Sequence, residues 1–265
     1  MSAPTLDTVP RAAWSVGEIR DLVTSEARKT FSTSPWWALL IPAVLLAGSL
    51  AVAEAKEEYL AMSQALALDF ASVFALLFGV VCATGEYRHN TIVTSYLNAA
   101  RRTKLGVAKM VFAALVGAGY GLVAVAAGFG GLWLSEVPFG GELSWVLAVS
   151  AGGVVAFALW AVIGVGLGML LRSQGFGVLA AVLYLLLVEP LLIFGGSYTQ
   201  VTDKITDYLP GMATRYILGG LSGGEQFGGG FGVAHAWWLM VLVVVAYAVV
   251  AMLVGIVAAR RRDLT

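Results

Sequence analysis

Between Glu142 and Arg172 the chain reads LSWVLAVSAGGVVAFALWAVIGVGLGMLL, residues 143–171, and none of these 29 side chains is charged. About 20 mostly apolar residues suffice to carry a helix across the hydrocarbon of a bilayer. In lipid every backbone N–H and C=O must be bonded within the protein, so such a run reads as a helix and not as an open strand. Working outward from it, further apolar runs of spanning length lie on both sides. The expected spans are residues 35–53, 62–84, 108–134, 144–171, 175–197 and 234–259. The alternating pattern of a membrane barrel is absent. The sequence therefore predicts an all-α membrane protein with six transmembrane helices in a single transmembrane domain, residues 1–265.

Composition agrees. Of the 265 residues 59% are apolar and only 12% are charged, against about 25% charged in soluble domains. So few charges cannot cover a water-facing surface, which excludes an ordinary soluble enzyme, a disordered chain and a nucleic-acid binder. Cys82 is the sole cysteine, so neither a disulfide framework nor a cysteine zinc site is expected. His89 and His235 have no companion ligand cluster, so no metal is expected.

Net charge is zero, but its distribution is uneven. Thirteen of the 16 basic residues (Arg11, Arg20, Arg28, Lys29, Arg88, Arg101, Arg102, Lys104, Lys109, Arg172 and Arg260 to Arg262) fall in the segments on one side of the six spans. Lys56, Lys204 and Arg215 fall on the other, with Glu54, Glu57, Glu58, Glu136, Glu142, Asp203, Asp207 and Glu225. The positive-inside rule puts the basic side in the cytoplasm, with both termini there. Trp36 and Trp37 mark the inner boundary, and Trp133, Trp145, Trp237 and Trp238 the outer one. The first 35 residues are polar and basic with no early apolar core, so no signal peptide is expected. A multi-pass protein of a prokaryotic plasma membrane is the expectation.

Residues 1–34 read as a cytoplasmic tail followed by an amphipathic helix on the membrane surface. Ser15 and Glu18 make a capping-box pattern, and Val16, Ile19, Val23, Ala27 and Phe31 follow at helical spacing. The outer loop, residues 198–233, holds Leu209-Pro210, a short helix predicted over residues 211–218, and eight glycines between Gly219 and Gly232. Gly117 with Gly121, and Gly164 with Gly168, give small-residue spacings that let membrane helices approach, within one subunit or between two.

The loop after the second span reads Gly85-Glu86-Tyr87-Arg88-His89-Asn90-Thr91-Ile92-Val93-Thr94-Ser95-Tyr96-Leu97-Asn98. Ile92, Val93, Tyr96 and Leu97 make one apolar face of a short cytoplasmic helix. This loop resembles the signature of ABC-2 type transporter permeases, G-E-[FY]-R-x-G-T-I. Gly85, Glu86, Tyr87, Arg88, Thr91 and Ile92 match it, while Asn90 stands where the family has glycine. Further on, Arg101-Arg102 and Lys109 fit the family's T-P-R-R and A-K region, with Ala100 in place of the proline. The stretch Gly166 to Ser173 and Leu209-Pro210 are similar to further segments of that family.

The resemblance implies six spans behind a membrane-surface helix, and pairing with a second permease copy or paralogue. It also implies docking on a cytoplasmic ABC ATPase dimer through the helix between spans two and three. Glu86, Tyr87, Arg88, His89, Asn90, Thr91, Ile92 and Tyr96 would then be the coupling residues. The implied role is ATP-driven export of a hydrophobic or amphipathic compound such as a drug, antibiotic or lipid. The chain itself has no Gly-Lys pair and hence no phosphate loop. It is therefore expected not to be an enzyme and to carry no cofactor, ATP and Mg being bound by the partner. Leu221-Ser222-Gly223-Gly224-Glu225 looks like the ATPase signature peptide but lies in the outer loop, where it reads as a glycine turn. The alternative is a non-transporting scaffold or sensor that recruits a cytoplasmic partner through the same loop.

Two carboxylates fall inside spans: Asp69 in the second and Glu189 in the fifth. Either they line the translocation path, or bind a proton or cationic substrate, or they snorkel outward or bond a neighbouring helix. Glu189 precedes Pro190, which cannot donate a backbone hydrogen bond, so a bend is expected there.

Overall fold

The computed structural model of the chain describes residues 16–33, 35–56, 59–88, 102–196, 205–223 and 236–261. Among them the regular structure is helical: α1 (Val16–Phe31), α2 (Pro35–Glu54), α3 (Leu60–Arg88), α4 (Arg102–Leu134), α5 (Leu143–Leu171), α6 (Gln174–Leu183), α7 (Glu189–Gly196), α8 (Pro210–Leu221) and α9 (Trp237–Arg261). One π-helical turn, Tyr184–Val188, joins α6 to α7. Six segments are long and apolar enough to cross a membrane: Pro35–Glu54, Leu60–Gly85, Thr103–Leu134, Leu143–Leu171, Gln174–Gly195 and Trp237–Ala258.

The bundle is organised around α3 and α5. The spanning part of α3 is 61% buried, against 17% for α2 and for the α6–α7 span. Apolar burial does not drive helices together in lipid, so close packing must. Glycine supplies it here. A Cβ at Gly164 of α5 would overlap the Leu76 carbonyl of α3, and one at Gly79 of α3 would overlap the Ala161 carbonyl of α5. Gly168 lies against Ala83 and Val80 of α3, while Gly117 and Gly121 of α4 lie against Phe157 of α5. Both small-residue spacings thus pack inside one subunit.

The charged ends of the helices differ from the sequence expectation in an informative way. The third span begins at Arg102, not at residue 108, and carries Lys104 and Lys109 within it. Both lysines are buried and meet acids of α1: Lys104 pairs with Glu18, and Lys109 with Glu26. Glu26 is itself 2% exposed and also holds Lys29, at 2.9 Å. Partnered this way, the lysines do not have to end the helix. Val23 and Ala27 of α1 pack against the core, and Phe31 stacks edge-on to Trp36 and Phe112. The helix after residue 15 is therefore fixed by ion pairs to α4 as well as by its apolar stripe.

Where a bend is expected at Glu189-Pro190, a π turn precedes the proline. Pro190 has no N–H for the carbonyl four residues back, and the Glu189 N–H reaches back five residues to the Tyr184 carbonyl. At the other end of the loop that follows, Pro210 occupies the first turn of α8, where a missing N–H costs nothing. The helix runs three residues further than predicted. It is not an exposed loop helix: Pro210, Gly211, Ala213, Thr214, Tyr216, Ile217, Leu218 and Gly219 are all buried. It packs against α3, α5 and α9. Backbone that does not span is tolerated among spanning helices only where protein covers it, as here.

Candidate functional site

The site lies where α8 enters the bundle. Asp69 is the tenth residue of α3, so its Cα lies about 14 Å along the helix from its N-terminal end. Its carboxylate accepts a hydrogen bond from Arg215 Nε of α8 at 2.9 Å. Asp69 is 9% exposed. The guanidinium is further held by Met212, whose sulfur lies 3.8 Å from Nη1. At the residue preceding Arg215, Trp160 of α5 donates from its indole to Thr214 Oγ1 at 3.2 Å, and that hydroxyl donates to the Pro210 carbonyl at 2.8 Å. These bonds fix both the depth and the rotation of α8.

Glu189 reaches α8 from the other side. Its Oε1 accepts the Met212 N–H at 2.8 Å, so the carboxylate caps a helix whose own N-cap, Leu209, has no side chain able to do so. An anion there also meets the positive end of the helix dipole. The carboxylate sits directly on Gly211: a Cβ at that position would come within 2.5 Å of Oε1. Glycine is what lets it approach. The second oxygen, Oε2, is buried as well. The Tyr184 side chain hydrogen-bonds the Glu189 carboxylate, and Tyr247 stands within electrostatic reach of it.

Asp69, Glu189 and Arg215 line one cavity of about 60 Å³, with Phe70 and Ser72 of α3, Trp160 of α5 and the π turn around it. Three ionisable groups, two acids and one base, share this space, leaving one negative charge when all are ionised. The two carboxylates that the sequence singles out are thus brought together, and both bond the neighbouring helix α8. Arg215, Thr214 and Trp160 were missed. The signal available was a basic residue in a short helix between two apolar spans, which needs a carboxylate partner if it is buried.

Of the coupling residues, Glu86, Tyr87 and Arg88 form the last turn of α3, continuous with the second span, and not a separate helix. His89, Asn90, Thr91, Ile92 and Tyr96 lie outside the described residues, as does the rest of that segment to residue 101. Among the described residues no group of three or more His, Cys, Asp or Glu is placed to hold a metal ion. No family model matches the sequence, and no curated protein matches it either.

Proposed function

We propose that this chain is the transmembrane subunit of an ATP-driven exporter, carrying a hydrophobic or amphipathic compound with a separate ATPase dimer. The observation that supports it most is the run of α3. One unbroken helix joins Asp69, in the cavity beneath α8, to Gly85-Glu86-Tyr87-Arg88 at its far end. A stiff helix of this kind can pass a push at one end to groups about 25 Å away along its axis. In this reading the basic end faces the cytoplasm, α1 lies along the inner membrane surface, and the segment from Glu86 to Asn98 docks on the ATPase. A second permease copy or paralogue completes the path. Energy comes from ATP and Mg held by the partner, because this chain has no phosphate loop.

A scaffold that only recruits a partner would not require acids and a base within its spans, where each costs insertion free energy. The intramembrane cavity therefore favours transport. The test is reconstitution of the chain with the ATPase subunit of its complex. The assembled particle should hydrolyse ATP, and Glu86→Gln or Arg88→Ala should lower that rate about tenfold or more while leaving the ATPase alone unaffected. Full activity in both variants would refute the coupling role.

A further inference from the structure

We propose that the cavity beneath α8 binds the ammonium head of a monocationic amphiphile, with Glu189 as its counter-ion; as an identification of cargo this rests on the transport reading. Asp69 is committed to Arg215, at 2.9 Å. Among the described residues no cation is bonded to Glu189. It is 4% exposed, one oxygen caps α8, the Tyr184 side chain bonds the carboxylate, and the residue lines the cavity. A buried carboxylate with no counter-charge bonded to it is costly, and a bound cation with N–H groups would offset that cost.

Size and lining select the kind of cation. The cavity holds about 60 Å³, roughly the space of two water molecules, enough for an ammonium group and too small for a drug-sized body. Phe70 and Trp160 among its walls suit an organic cation. Calcium and magnesium demand six or more oxygen ligands, which two carboxylates already engaged elsewhere do not supply. The apolar body has its own place. Leu186, which is 70% exposed, and Ile193 are among its walls. A hydrocarbon or aromatic tail leaving the cavity would lie along this lipid-facing side. Anionic and neutral amphiphiles are disfavoured, the first by repulsion and the second because a neutral donor brings no charge to offset the buried carboxylate.

Radiolabelled phenethylamine, a monocation at neutral pH, should bind saturably to the full chain in phosphatidylcholine nanodiscs. Unlabelled amine should displace it, 2-phenylethanol at least ~10-fold less well, and phenylacetate not at all. Glu189→Gln should weaken binding about tenfold or more. Leu186→Trp narrows the cavity from an exposed position, leaves α8 capped, and should weaken binding even if the first variant fails to assemble. Absence of saturable binding, equal displacement by the alcohol, displacement by millimolar sodium, or wild-type affinity in both variants would overturn the proposal. The assay uses no nucleotide and no partner. Loss of ATPase coupling with amine binding intact would therefore strike the transport reading alone, and the converse result would strike only this one.

Discussion

At the scale of single residues, Asp69 and Arg215 decide how α8 is held. Each is a charge that the membrane interior disfavours, and each is tolerable because the other is 2.9 Å away. Removing one should cost more than removing both. Asp69→Asn strands a guanidinium and Arg215→Gln strands a carboxylate, so each should destabilise by about 2–3 kcal/mol. That is below the ~3–5 kcal/mol of a fully buried pair, because the Arg215 side chain keeps 33% of its exposure. The double variant should recover at least half of the loss. Thermal or denaturant unfolding of the purified chain, read as a double-mutant cycle, measures this; additive losses would show that the pair does not couple.

Among the elements, the contact of α3 with α5 sets the geometry of the rest. Backbone meets backbone at Gly79 and Gly164, so a methyl group at either position has nowhere to go. Gly164→Ala should push the helices apart and lower stability by about 2 kcal/mol or more. Gly119→Ala, on a face of α4 where a Cβ meets nothing within 4 Å, should leave stability unchanged or slightly raised. Melting curves of the two variants side by side test whether glycine here serves packing or is merely abundant. No loss in either would show that glycine here is merely abundant. The π turn belongs to this scale too. It places Glu189 over the start of α8, and Gly211 leaves room for it.

For the whole molecule, outward faces of α2, α4, α6–α7 and α9 are apolar and uncovered. Leu45, Leu122, Leu186 and Leu242 are each at least 60% exposed. A surface of this kind is stable against lipid and would aggregate in water. Spans two, four and six run in one direction, as the pairing of like ends shows: Arg172 at the end of α5 donates to the Ala258 carbonyl near the end of α9, and Glu142 before α5 accepts from Ala61 at the start of α3. With Cys82 replaced by serine, a thiol at Ser32→Cys should react with an impermeant reagent only from the cytoplasm, and one at Lys56→Cys only from outside. Labelling with the opposite sidedness would invert the orientation drawn from the arginines.

The sequence alone determined the six helices and the short helix after Leu209-Pro210, because spanning length and hydropathy are local properties that no distant contact overrides in lipid. It also singled out Asp69 and Glu189, since a charge inside an apolar run is conspicuous wherever it points. Tertiary structure decided the rest. That Lys104 and Lys109 belong inside a helix depends on Glu18 and Glu26, more than 80 residues away. That α8 is buried depends on Asp69, Trp160 and Glu189, contributed by three other elements. Ion pairs and helix caps formed across such distances leave no periodicity in the chain, so only the folded arrangement reveals which charge each buried charge was waiting for.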